Sequence, residues 1–191
     1  MDIKLIEKNT DLKVEYHKII TSTSDRAKEI ALESVNIEKS IKSMQVVISE
    51  NQTKGRGTNG RVWHSNCGEN ILMTLICYPQ KEVNKLQGIT YSIAEIIKLT
   101  IEELYGINLD IKLPNDLLLD GKKVCGILTE SSIQKGQVKY LLIGIGLNVN
   151  QIDFLDEIKN IATSLKKENM NKEFLREEII IKIINNIKSL I

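Results

Sequence analysis

Two runs with β-strand character, Gln45–Ser49 and residues 71–78, stand on either side of a polar segment in which Gly55, Gly57 and Gly60 alternate with Arg56 and Arg61. This arrangement restricts the chain to folds in which strands of a sheet carry a long glycine loop between them. Glycine permits positive φ and lets a backbone come close to a bound group. Each guanidinium offers forked donors that match a carboxylate or a phosphate. Such a loop can hold an anion. Its composition equally suits a long hairpin connection, because Gly and Asn are turn formers.

The remaining elements follow from periodicity and punctuation. Residues 14–20 read as a strand, and Ser22-Thr23-Ser24-Asp25 then offers hydroxyl caps and an acidic first turn for a helix to about residue 32. Apolar residues at 86, 89, 93, 96, 97, 101 and 104 predict one amphipathic helix over 83–104. Strands at 117–119 and 123–130 flank Asp120-Gly121, a dipeptide that favours a tight hairpin. A further strand covers 137–148. Residues 166–171 read as a polar linker, and 172–190 as a C-terminal helix with a broad apolar face. Hairpins outnumber β-α-β alternations, so the expected fold is α+β, a mixed β-sheet with helices packed on one side.

A chain of 191 residues, 42% hydrophobic, fills one core, which predicts a single domain over 1–191. Lys and Arg number 26 against 25 Asp and Glu, so no global field recruits nucleic acid or an anionic membrane. No apolar run approaches the roughly 20 residues of a membrane span, and the start lacks a signal core. The three cysteines have neither metal-ligand spacing nor an even count, which fits a reducing, cytoplasmic setting. Cys77 and Cys125 lie in apolar runs and are expected to be buried, whereas Cys67 lies in a polar loop. The two histidines form no HxxxH pair, so no zinc site is expected.

Further motifs lie downstream. Lys112-Leu113-Pro114-Asn115-Asp116-Leu117 leads through Asp120-Gly121 into Lys122-Lys123-Val124-Cys125-Gly126-Ile127-Leu128, and Gly144-Ile145-Gly146-Leu147-Asn148-Val149-Asn150 follows. Read with Ser22-Thr23-Ser24-Asp25 and Ala162-Thr163-Ser164-Leu165, these segments resemble, in order and spacing, the catalytic domain of biotin protein ligases over roughly residues 13 to 166. The resemblance implies the mixed sheet shared with class II aminoacyl-tRNA synthetases. It also implies a biotin-[acetyl-CoA-carboxylase] ligase reaction in which biotin and ATP, with magnesium, give biotinyl-5'-AMP. Biotin then passes to a lysine of a biotin carboxyl carrier protein. The rival readings are a lipoate or octanoate ligase or transferase of the same fold and a non-catalytic biotin or adenylate binder. A homodimer would form through a sheet edge.

Joining a carboxylate to an α-phosphate brings two anions together, so fixed cations must offset their repulsion. Arg56, Arg61 and Lys123 are the candidates. Alternate strand residues face opposite ways, so Lys122 and Lys123 cannot both enter the site, and the resemblance selects Lys123. Asp116 is the candidate to orient the incoming lysine and take its proton, with Asn115 at ATP or the metal. From composition alone Pro114-Asn115-Asp116 is as readily a turn. By resemblance Ser22, Thr23 and Gln52 meet the ureido ring system, and Ser24 also contacts biotin. Gly55, Gly126 and Gly144 give backbone room there, and Leu128 is a wall. Gly57, Thr58, Arg56 and Lys123 continue along biotin. Arg56, Arg61, Trp63, Asn115, Lys123 and Asn148 would contact ATP or the adenylate, with magnesium on Asn115 or Asn148. Trp63 can also be a buried structural residue, and Gly144 and Gly146 can serve close strand packing.

Some positions depart from the pattern. Thr58 and Asn59 stand where the family loop carries basic residues, Leu113 where it has Trp, and Ser24 where Asn is common. Segment 52–66 is expected to become ordered over the adenylate. The stretch before residue 14 has no room for a winged-helix DNA-binding domain, and the small C-terminal β-barrel of relatives is expected to be absent.

Overall fold

The computed structural model describes residues 1–36, 43–79 and 82–191. Strands β1 (Lys13–His17), β2 (Gln45–Ser49), β3 (Ile71–Cys77), β4 (Asp110–Lys112), β5 (Asp116–Leu119), β6 (Lys122–Gln134) and β7 (Gln137–Leu147) form one seven-stranded sheet in the order β1-β2-β3-β7-β6-β5-β4. β1 and β2 run parallel and every other pairing is antiparallel, so the sheet is mixed as expected. The helices are α1 (Ile3–Thr10), α2 (Thr23–Asn36), α3 (Ile89–Tyr105), α4 (Leu165–Glu168) and α5 (Arg176–Leu190).

Strand alternation divides the sheet into two faces. On one, Val46, Ile48, Leu75, Ile143 and Ile145 join Ile93, Ile97 and Ile101 of α3 and Ile179, Ile183 and Ile187 of α5 in the main core. Each fully buried isoleucine there stabilises the fold by about 1.5–3 kcal/mol relative to exposure. Ile6 of α1 enters the same core. On the opposite face Val47, Ile76 and Leu142 pack against Ala27 and Ala31 of α2. The one-sided packing expected from sequence therefore holds for α1, α3 and α5, and α2 crosses to the other face. It is the crossover that a parallel β1–β2 pair requires, and its two alanines let it lie close to the strands.

Boundaries differ where a local residue overrides periodicity. The helix expected from residue 83 begins at Ile89, because Gly88 takes φ 79° and separates it from a short turn at Val83–Leu86. The stretch expected to be a linker overlaps α4, where Ser164 Oγ accepts from Lys167 N at 3.0 Å and the first residue, Leu165, is buried. α1, capped by Asp2 Oδ1 accepting from Leu5 N at 3.0 Å, is too short to show a period, and neither it nor the three-residue β4 is foreshadowed by sequence pattern.

At the end of β2, Glu50 is only 7% exposed. Its carboxylate accepts from Arg176 Nη1 of α5 at 2.6 Å and from Tyr16 Oη at 3.0 Å, with the N-terminal amine 3.6 Å away. Burial pushes this carboxyl up, but Arg176 outweighs it and holds the group below its ordinary value. The root of the glycine loop is thus tied to both β1 and α5.

Candidate active site

The floor of the site comes from β6 and β7, on the face that α2 covers. Pairing sets Gly126 opposite Gly146 and Leu128 opposite Gly144, so a patch of bare backbone opens between aliphatic walls. A methyl group at Gly126 or Gly146 would lie 2.8 or 2.6 Å from the Trp63 ring, and at Gly144 it would lie 3.1 Å from Ser24 Oγ. The missing side chains are therefore what admit the indole. At the start of α2, Thr74 Oγ1 donates to Thr23 Oγ1 at 2.9 Å, and Thr23 N and Oγ1 both donate to Gln52 Oε1, at 2.7 and 3.1 Å. That network fixes a row of hydroxyl and amide groups at one end of the floor.

The glycine loop folds back on itself. Gly57 N donates to Arg61 O at 2.8 Å and Trp63 N to Gly55 O at 2.9 Å, with a tight turn at Thr58–Gly60 in which Asn59 takes φ 56°. Arg56 is thereby carried over the pocket. Its guanidinium donates to Asp25 Oδ1 at 2.9 Å and to both oxygens of Glu130, at 3.0 and 3.2 Å. Burial lowers the Arg56 pKa, and the two carboxylates raise it by more, so the group is held firmly charged.

Lys123 reaches the pocket from β6. Its Nζ lies 2.7 Å from Asp116 Oδ1, an off-axis ion pair rather than a directed hydrogen bond, and 5.5 Å from the centroid of Trp63. Lys122 points the other way, to Glu168 at 3.5 Å, as alternation requires. The Lys123 backbone is fixed on both sides, donating to Ile161 O at 2.8 Å and accepting from Thr163 N at 2.9 Å. Asn115 Nδ2 donates to Ile127 O at 3.1 Å, which places the turn at the pocket rim.

The structure brings Thr23, Ser24, Gln52, Arg56, Gly57 and Thr58 into the lining, together with Trp63, Asn115, Lys123, Gly126, Leu128 and Gly144. Other candidates lie outside it. Ser22 Oγ is used as a helix cap for Asp25 N, and Gly55 is buried beneath Trp63. Arg61 is exposed beyond the lining. Asp116 touches the pocket through Lys123. Asn148 is buried, with its N–H on Val124 O and its Nδ2 on Thr163 O, and its Oδ1 has no partner among the described residues. Sequence reasoning missed Met73, Ile127 and Ile145 as lining residues, Gly146 as the seat of Trp63, and Asp25 and Glu130 as partners of Arg56. The spacing of Gly126, Leu128 and Glu130 on one strand was the available signal for Glu130.

Among the described residues no three His, Cys, Asp or Glu side chains cluster as a metal cage. Burial pushes the thiols of Cys77 and Cys125 up to about 12, while Cys67 is exposed.

A mixed sheet with a glycine loop folded over bare strand backbone, and with two cations beside hydroxyl and amide groups, defines a class of group-transfer domain. The chain belongs to the biotin/lipoate A/B protein ligase family, whose model matches residues 16–148. Within that family its likeness runs to biotin ligases. It is 42% identical over 154 residues to the bifunctional ligase/repressor BirA of Bacillus subtilis, covering 80% of this chain and 46% of that protein. It is 35% identical over 109 residues to the biotin-[acetyl-CoA-carboxylase] ligase of Paracoccus denitrificans, covering 54% of this chain and 43% of that protein. The structure of the Aquifex aeolicus biotin protein ligase in complex with biotin and ATP superposes with a TM-score of 0.73 at 29% identity, covering 93% of this chain and 69% of that one. The chain spans about half the length of the curated relatives it matches.

Proposed function

We propose that this chain is the catalytic domain of an ATP-dependent biotin protein ligase. The carboxylate oxygen of biotin attacks the α-phosphorus of ATP and pyrophosphate leaves, giving biotinyl-5'-AMP. The amine of a carrier-protein lysine then attacks the acyl carbon and AMP departs. The observation that carries the reading is the convergence of Arg56 and Lys123 over a glycine floor whose far end presents the Thr23, Ser24 and Gln52 polar groups. An apolar ring system with a ureido group needs such a floor and such an end, and two anions that must meet need the cations.

In this reading Arg56 and Lys123 offset the charge of carboxylate and α-phosphate. Asp116, ion-paired to Lys123, receives the proton of the incoming lysine. Magnesium, if bound with the triphosphate, would supply further charge neutralisation at the phosphates. Asn115, in the lining, would be the protein donor to such an ion, whereas Asn148 is buried with its Nδ2 on Thr163 O. The cavity measures about 40 Å³, because Trp63 fills it. Ligand pockets hold roughly 300–1,000 Å³. Trp63 and the loop therefore swing out to admit substrates and fold back over the adenylate, shielding it from water.

No helix among the described residues is long and apolar enough to cross a membrane, and the proposed reaction takes place in the cytoplasm. The sheet ends on β1 and β4, the edges at which a second copy would pair. Mixing the protein with biotin, ATP, magnesium and a biotin carboxyl carrier domain should add the mass of one biotinyl group to the carrier. No added mass, or addition of lipoyl or octanoyl groups but not biotin when lipoate and octanoate are supplied alongside it with their own carrier domain, overturns the reading. Amide exchange in segment 52–66 should slow when biotin and ATP are both present.

A further inference from the structure

A guanidinium has five N–H donors arranged along three edges. In Arg56, Nη1 donates to Asp25 Oδ1 and Glu130 Oε2, and Nη2 donates to Glu130 Oε1. Glu130 closes the end-on edge and Asp25 takes the outer Nη1 hydrogen. What remains without a partner among the described residues is the side-on edge, Nε–H with the second Nη2 hydrogen. Those two donors are parallel and spaced to grip two oxygens of one phosphoryl group.

The partners stand on rigid elements. Asp25 is in the first turn of α2, and Glu130 lies on β6 in the same alternation as Gly126 and Leu128. Two carboxylates on one exposed guanidinium leave a net negative charge at the mouth of a site that must accept anions. A half-exposed ion pair contributes little to stability, so stability does not account for the arrangement. Orientation of the fork does.

We propose that Glu130 and Asp25 are positioning residues: they turn Arg56 so that its side-on fork faces the pocket and takes two oxygens of the nucleotide α-phosphate. This rests on the reading of the pocket as an adenylating site. The acids are not themselves contacts of the substrate. Removing them leaves the cation in place and loses its direction.

The test is a double-mutant cycle of Glu130→Gln with Arg56→Ala in biotin-dependent exchange of pyrophosphate into ATP. Glu130→Gln alone should lower kcat/KM for ATP on the order of tenfold, with Asp25→Asn following in the same direction and by less. In the Arg56→Ala background Glu130→Gln should have no further effect. Losses that multiply in the double variant, or wild-type kinetics in Glu130→Gln, overturn the proposal. A wild-type protein with no biotin-dependent exchange overturns the adenylating reading instead. The positioning claim is then read from the Arg56 Nε–Hε NMR signal, assigned by its loss in Arg56→Lys. That signal should shift on titration with inorganic pyrophosphate in the wild type and titrate more weakly in Glu130→Gln. No shift, or identical titrations, would refute it.

Discussion

The two faces of the sheet are built from the same strands and obey opposite rules. On the α3/α5 face, β7 offers Ile143, Ile145 and Leu147, each at most 2% exposed, and the space between layers is closed by filling it. On the α2 face the same strand offers Gly144 and Gly146, and β6 offers Gly126, so that space is shaped by leaving atoms out. Residue parity along β7 thus sorts what holds the fold from what meets a ligand, with Ile145 the core-face residue of that strand that also reaches the lining. A change of parity should change which property suffers.

The largest effect should come from Lys123→Ala. Removing a fixed cation from a site that joins two anions should lower the exchange rate by about 10²–10³. The side chain is 31% exposed, so the thermal midpoint should barely move. Unfolding of that variant would break the comparison from the site side. Ile143→Ala should do the reverse. It empties a fully buried position and should cost about 2–5 kcal/mol in denaturant unfolding, while activity per folded molecule stays near wild type.

A third effect belongs to the joint between loop and core. The Glu50 carboxyl sits below its ordinary value near 4.5, because Arg176 prevails over burial. A depressed pKa gives stability that is fully present above the unfolded value and is lost as pH falls through the folded one. The thermal midpoint should therefore drop as pH falls below the ordinary carboxylate range, and Glu50→Gln should flatten that slope. Equal slopes would assign the acid sensitivity elsewhere.

Next in size is Gly146→Ala. Its methyl would lie 2.6 Å from the Trp63 ring, which must yield because the strand cannot. We expect kcat/KM for ATP to fall on the order of tenfold with little change in stability, since the displaced ring belongs to the loop. Gly144→Ala meets Ser24 Oγ at 3.1 Å and should be milder.

Most of the core face was legible in the sequence, because continuous apolar runs such as Ile71–Cys77 and the helical stripe of α3 are local patterns. The Asp120-Gly121 hairpin and the loop with Arg56 were legible for the same reason. The α2 face was harder. Two alanines make a weak apolar stripe, so nothing in the helix itself announced that it would cross over. The pairing of Arg56 with Glu130 spans 74 residues, and the strand spacing that puts Glu130 on the pocket face does not name its partner. Which glycine seats Trp63 depends on register, and register shifts at Leu117/Leu118 and Ser132/Ile133 disturb any simple count along β5 and β6.

The smallest effect concerns a cation that the loop lacks. Thr58 lines the pocket beside Gly57, and Asn59 at the turn is exposed, so the loop brings only Arg56 into the lining while Arg61 stays outside. A charge-assisted bond to a desolvated phosphate contributes about 1.5–3 kcal/mol. A partly open loop is screened by salt over roughly 8–10 Å, so Thr58→Arg should slow release of a preformed biotinyl-adenylate severalfold rather than a hundredfold. The check is the decay of radiolabelled adenylate on the enzyme after a chase with unlabelled biotin. The gain should shrink as ionic strength rises, because the new group sits where solvent reaches it. If release is unchanged at low salt, retention is governed by the seating of Trp63 on Gly126 and Gly146, and the site face acts through shape alone.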